Sequence, residues 1–257
     1  MYIDSHCHVN FPELRARMPE ILERMSANQV THALCVSVNL PDWPELMQTV
    51  AGEPRLWASV GVHPDYEETV EPTVQDLVER ARDNPKVIAI GETGLDYYRL
   101  EGDLEWQRER FRVHIRAARE SGLPLIIHTR AAAEDTLRIM REEGADQVGG
   151  VMHCFTESQA VADAAIDMNF MISFSGIVTF KSARELQQVA ATIPLESLLI
   201  ETDSPYLAPV PYRGKVNDPS YVMHVAEKIA ELRGITPGEV GMASRRNFLR
   251  LFSRASV

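Results

Sequence analysis

At 257 residues, with 45% hydrophobic and 25% charged residues, the chain has the composition of a soluble globular protein with a sizeable core, and its length suits one α/β barrel domain over 1–257. A net charge of −11 excludes a protein that grips nucleic acid by its overall field and gives no support to a membrane-surface role. Three scattered cysteines, Cys7, Cys35 and Cys154, exclude a disulfide scaffold and, with no signal peptide or membrane-length apolar run visible, predict a cytoplasmic protein.

In chain order, short apolar runs alternate with helical spacing. Strands are predicted at Ile3–Ser5, Ala33–Val38, Trp57–Val62, Val87–Gly91, Leu125–Ile127, Val148–Met152, Phe170–Phe174 and Leu198–Ile200. Helices are predicted at Glu13–Ala27, Asp42–Val50, Thr73–Asp83 (Thr73 as N-cap), Leu104–Ser121, Ala132–Glu143, Ser158–Met168, Ser182–Thr192, Tyr221–Arg233 and Pro237–Phe252. Strands that are apolar on both faces read as a parallel sheet. Eight strand–helix units of about 32 residues predict a (β/α)8 TIM barrel. The alternative, a doubly wound open sheet, lacks a G-x-G-x-x-G turn after the first strand.

Barrels of this kind carry their chemistry at the C-terminal ends of the strands. Five of the eight histidines fall there: His6 and His8 in Asp4-Ser5-His6-Cys7-His8, His63, His128 and His153. Glu92, Glu201 and Asp203 end strands too. His6 and His8, two apart on an extended segment, point the same way, with Cys7 turned aside into packing. Asp4 shares their parity and is a candidate to hold a ring N–H. Asp96 reads equally as a turn residue. His32, His114 and His224 lie elsewhere and read as structural. Mixed imidazole and carboxylate donors suit Zn, Mg or Mn, and exceed what one four-coordinate ion needs, so two divalent ions sharing a carboxylate are expected. Arg130, Lys181, Arg213 and Lys215 follow strands on the same rim and are candidate phosphate contacts, although each alone is an ordinary solvated loop charge. Tyr97, Tyr98, Phe155 and Tyr206 are candidates to stack on a base. Arg108, Arg112, Arg116 and Arg119 form a basic stripe that reads as a solvated helix face.

The motifs DSHCH, GVHP, GETGLDYY, IIHTR, MHCF, SFSGIVTF, ETDSPYLAP and YRGKVNDP, in this order, resemble the TatD family of metal-dependent hydrolases in the amidohydrolase superfamily. The resemblance implies a metal-dependent barrel and divalent-metal hydrolysis of DNA, here single-stranded and held locally, from its 3′ end. It implies that His6, His8 and Asp203 bind one metal, that His128 and His153 complete a second, and that Glu92 bridges the two. It further implies that His63 touches the scissile group. Some superfamily relatives bridge their metals with a carbamylated lysine; the four lysines here, Lys86, Lys181, Lys215 and Lys228, end no strand. Ala131 stands where many members of the family carry an acidic residue. Asp203 is expected to relay the proton, with Glu201 supporting it. Two other readings stay open: hydrolysis of an ester or amide, such as an aminoacyl-tRNA or a small cyclic amide, and a catalytically silent metal-binding protein. No obligate protein partner is evident.

Overall fold

A computed structural model describes residues 1–98, 100 and 102–256. Its strands are β1 (Tyr2–Cys7), β2 (Val30–Cys35), β3 (Leu56–Val60), β4 (Val87–Asp96), β5 (Leu125–Arg130), β6 (Gly150–Met152), β7 (Phe170–Phe174) and β8 (Leu198–Ile200). Its helices are α1 (Pro12–Arg15), α2 (Met18–Ala27), α3 (Trp43–Ala51), α4 (Val74–Asp83), α5 (Glu105–Ser121), α6 (Ala133–Glu142), α7 (Gln159–Ile166), α8 (Arg184–Thr192), α9 (Val222–Arg233) and α10 (Pro237–Leu251). The strands pair in sequence order, all parallel, and form the expected (β/α)8 TIM barrel. Among the described residues no helix is long and apolar enough to cross a membrane.

Local chemistry explains most boundaries. Thr73 caps α4 through a reciprocal box with Asp76, and Gly122, in the left-handed region, ends α5. The helix expected over Glu13–Ala27 is broken: Pro19, in the first turn of α2, has no N–H to continue a helix from α1. β4 and β5 run further than their apolar cores, because Thr93, Gly94, Leu95 and Asp96 stay in register with residues 127–130. Gly94 is needed there: at φ +131° a Cβ would lie 1.9 Å from His128 O.

Ile3, Leu34, Trp57, Ile88, Ile126, Val151, Met171 and Leu199, one or more from every strand, cluster with Phe248 and Phe252 at the end of α10. The C-terminal helix thus plugs the N-terminal end of the barrel. β8 and β1 share no ladder; their seam is closed by the Cys7–Ser204 bridge and by two backbone bonds, Asp203 N–H to His6 O at 2.9 Å and His8 N–H to Ser204 O at 2.8 Å. Asp4 sits on this seam. Its carboxylate accepts from the backbone N–H of His6 (3.2 Å) and of Thr202 (2.8 Å) and from the Thr202 hydroxyl (2.6 Å). It holds backbone rather than an imidazole, because the ladder shifts register between Asp4 and Cys7 and breaks the alternation that gave Asp4 the parity of the histidines.

The histidines outside the strand ends have ordinary partners. His32 stacks on Trp57 and His224 pairs with Glu227 at 2.7 Å. His114, fully buried on α5, accepts the Val62 N–H at Nε2 (3.0 Å), so Nδ1 carries the proton and donates to Arg110 O (2.8 Å). Burial pushes its pKa down to about 4, below the unfolded value near 6.5. Between those values the unfolded chain binds the extra proton. The stability His114 supplies is therefore complete above about pH 6.5 and falls by about 3 kcal/mol as pH drops to about 4. Denaturant titrations at pH 7.5 and 4.5 should show a larger loss for the natural chain than for His114→Gln; equal losses would contradict the assignment.

Candidate metal centre

His6, His8, His63, Glu92, His128, His153 and Asp203 converge at the C-terminal rim of the barrel. Glu92, 2% exposed, stands at the middle. Its Oε2 lies 3.3 Å from His6 Nε2. Its Oε1 lies 2.7 Å from His153 Nε2, 3.3 Å from His128 Nδ1 and 3.3 Å from His63 Nε2. On the Oε2 side, His6 Nε2 and His8 Nε2 are 3.3 Å apart, and Asp203 Oδ1 is 3.6 and 3.5 Å from them. The donor atoms of His6, His8 and Asp203 form one compact group, those of His63, Glu92 and His128 a second, and those of His6, His153 and Glu201 a third that joins the two sides.

Hydrogen bonds at the far side of four of the five rings decide which nitrogen presents a lone pair; His6 Nδ1 is buried without a partner among the described residues. His8 Nδ1 donates to the Val36 carbonyl (3.1 Å), leaving the Nε2 lone pair turned to Asp203. His128 Nε2 donates to Asp96 Oδ2 (2.9 Å), leaving Nδ1 turned to Glu92. His153 Nδ1 faces Glu201 Oε1 (3.3 Å), leaving Nε2 for the centre. That Nε2 is buried and not aligned in a hydrogen bond, despite its 2.7 Å approach to Glu92. His63 is the opposite case. Its Nδ1 accepts the Asp65 N–H (3.0 Å), so the neutral ring carries its proton on Nε2 and presents a donor. A donor-bearing nitrogen cannot ligate a cation, so we separate His63 from the ligand group that distance alone would assign it to. The remaining buried lone pairs and carboxylates are a donor set of the kind that holds divalent cations.

This centre floors a cavity of about 750 Å³ walled by Phe11, Tyr66, Tyr206, Ile177 and Arg130. Residues 3–253 match the family described as TatD related DNase. The chain belongs to the TatD family. It is 42% identical over 254 residues to the uncharacterized metal-dependent hydrolase YabD of Bacillus subtilis, covering 98% of this chain and 99% of the relative. It is 30% identical over 238 residues to the 3'-5' ssDNA/RNA exonuclease TatD of Salmonella typhimurium, covering 91% and 92%. The crystal structure of the TatD homolog YjjV from Escherichia coli superposes with a TM-score of 0.90 at 27% identity, covering 98% of each chain. The protein is accordingly a metal-dependent hydrolase.

Charge in this TatD-family centre is arranged to keep the carboxylates ionised. Burial alone would raise Glu92, but His153, His63 and His6 around it hold it well below the usual carboxylate range. Asp203 is likewise lowered against its burial by His8, His6 and His153. Burial and the neighbouring His153, whose ring stacks on it with centroids 3.9 Å apart, push His6 down. Asp203 (φ 56°) and Cys154 (φ 42°) are both in the left-handed region, a strain typical of functional sites.

Two carboxylates support the centre in ways other than those expected from sequence. Asp96 is more than a turn residue: it fixes the His128 ring. Glu201, expected to support Asp203, instead accepts the Cys154 N–H (2.7 Å) and faces His153, because the turn after β8 carries Asp203 away from it. The signal for both is an acid at a strand end whose partner is a histidine at the end of another strand, the next one for Asp96 and the next but one for Glu201, which single-chain spacing does not reveal. We expect Asp96→Asn and Glu201→Gln each to lower metal affinity or turnover about ten- to a hundredfold with the fold intact. Metal titration and kcat would check this, and unchanged values in both variants would remove these residues from the centre.

The candidate substrate contacts divide. Arg130 lines the cavity with its guanidinium 3.9 Å from the centroid of Tyr98. Tyr206 lines it too, but Phe155 is buried in the core. Tyr97 is not brought there: its hydroxyl donates to Asp135 Oδ2 (2.8 Å) and accepts from Arg108 (3.2 Å). Lys181 and Arg213 are exposed beyond the lining, Arg213 lying over Phe180 at 3.6 Å. On α5, Arg112 and Arg116 pair with Glu142 and Glu143 at 3.0 and 2.8 Å, so the stripe is a neutralised helix contact rather than a nucleic-acid track.

Proposed function

We propose that this protein removes nucleotides from the 3′ end of single-stranded DNA, with two divalent ions, Zn, Mg or Mn, held by His6, His8 and Asp203 on one side of Glu92 and by His128 and His153 on the other. The observation that carries the reading is the division of lone pairs about Glu92 at the floor of a nucleotide-sized cavity with aromatic walls. A volume of about 750 Å³ takes one small ligand rather than a duplex, which suits the end of a strand. Phe11, Tyr66 and Tyr206 offer ring faces to a terminal base, and base–aromatic stacking tolerates any sequence. Arg130 offers one cation to a phosphate. The Salmonella relative is named a 3'-5' ssDNA/RNA exonuclease, which supports the polarity and the single-stranded substrate.

Bound there, the ions supply the Lewis acidity that makes water a nucleophile near neutral pH. The chain's own groups do the rest. Asp203 turns Oδ1 to His6 and His8 and leaves Oδ2 without a hydrogen-bond partner among the described residues, ready to take the proton released by water. Water oxygen bonds to phosphorus as the bond from phosphorus to the 3′ oxygen breaks, and that oxygen takes the proton. His63 directs its Nε2–H into the cavity, where it donates to a phosphoryl or leaving oxygen. With a net charge of −11, the strand is held by these local contacts alone.

Metal-stripped protein, resupplied with Mg, Mn or Zn and given a 5′-labelled single-stranded oligonucleotide, should produce a ladder shortening from the 3′ end. No cleavage with any metal would overturn the reading in favour of a carboxylic ester or amide substrate.

A further inference from the structure

The inner face of α5 carries Phe111, Ile115, Ala117 and Ala118 into the core, and beside them three polar residues where a barrel helix is ordinarily apolar. Gln107, Arg110 and His114, at positions i, i+3 and i+7, are 0%, 2% and 0% exposed. All three reach the same three residues of the loop after β3. His114 Nε2 accepts the Val62 N–H at 3.0 Å. Arg110 Nη1 donates to His63 O at 2.9 Å, and Gln107 Nε2 donates to Pro64 O at 3.2 Å. Arg110 also donates to Tyr66 O (2.7 Å) and to Glu71 Oε2 (2.8 Å), with its guanidinium 4.7 Å from the Trp106 ring centroid. Buried polar side chains are retained only where their partners satisfy them, and here the partners are the backbone of one short corner.

The peptide between Pro64 and Asp65 links this corner to the centre. Its carbonyl is the one Gln107 holds, and its N–H is the one that His63 Nδ1 accepts. Because the peptide is planar, fixing the carbonyl fixes the direction of the N–H. That N–H keeps the proton of His63 on Nε2, 3.3 Å from Glu92. Gln107 Oε1 accepts the Asp96 N–H at 2.9 Å, so the same amide steadies the turn that holds His128.

We infer that Gln107, Arg110 and His114 are positioning residues that brace the Val62–Pro64 corner, and thereby set both the reach and the tautomer of His63. The inference rests on His63 acting on the substrate, as proposed above. A merely structural role would affect stability and leave the ring's tautomer alone.

The test uses metal-loaded protein. Long-range proton–nitrogen NMR of the His63 ring should show the Nε2–H tautomer in the natural chain and a mixture in Gln107→Met. Turnover of Arg110→Met, which leaves the bond between Gln107 and Asp96 in place, should fall about ten- to a hundredfold with KM within about twofold and the metal content unchanged. Within a His63→Ala background it should not lower turnover further. An unchanged tautomer, or losses that multiply in the His63→Ala background, would overturn the inference. Arg110→Met carries both readouts if Gln107→Met fails to fold. Should the natural chain cleave no DNA, the functional reading fails, while the tautomer measurement still decides the brace.

Discussion

Glu92→Gln should abolish hydrolysis, lowering kcat by about a thousandfold or more, and should leave the protein short of metal. The two oxygens of Glu92 face opposite groups, His6 on one side and His153, His128 and His63 on the other. Glutamine keeps the shape but replaces one oxygen with an NH₂ and removes the charge. Whichever way the amide turns, its NH₂ faces one of the two groups, where a nitrogen that carries protons cannot ligate a cation, and the negative charge that both groups share is gone. Unpairing buried charge costs about 3–5 kcal/mol, and about 4 kcal/mol in the transition state is a thousandfold in rate. Elemental analysis of bound metal beside kcat is the check. A variant that kept two metals and natural turnover would end the two-metal scheme.

Much of this centre was legible because barrel strands deliver chemistry to one rim. His6, His8, His63, Glu92, His128, His153 and Asp203 each follow an apolar run, and the runs recur at a barrel's interval. The strand ends themselves were read short. Apolarity stops at Gly91 and Ile127, yet the ladder continues through Thr93–Asp96 and His128–Arg130, since backbone pairing does not depend on side-chain polarity. What stayed hidden is contact between distant segments. Asp96 with His128, Glu201 with His153, and α5 with the Val62–Pro64 corner join residues far apart in sequence, and nothing in their spacing marks the pairing. Asp4 shows the same limit in reverse, because one register shift in β1 transferred it from the imidazoles to the barrel seam.

Asp203 allows chemistry to be separated from backbone. It sits at φ 56°, a conformation that asparagine enters readily and alanine resists by about 1–2 kcal/mol. Its N–H closes the seam onto His6 O at 2.9 Å, a bond either substitution can keep. Asp203→Asn should therefore melt close to the natural chain, retain an oxygen toward His6 and His8, and lose only the charge and the ability to take a proton. General-base catalysis is worth about 10²–10⁴-fold, so kcat should fall by that much. The His128–His153 side, tied to Glu92 rather than to Asp203, should keep its metal. Asp203→Ala should show the same loss of turnover with a lower Tm, because only it adds backbone strain. If Asp203→Asn turned over within about threefold of the natural chain, the proton released by water would have to go to another group, and His63, whose Nε2 already carries a proton, could supply one to the leaving oxygen but could not take that one.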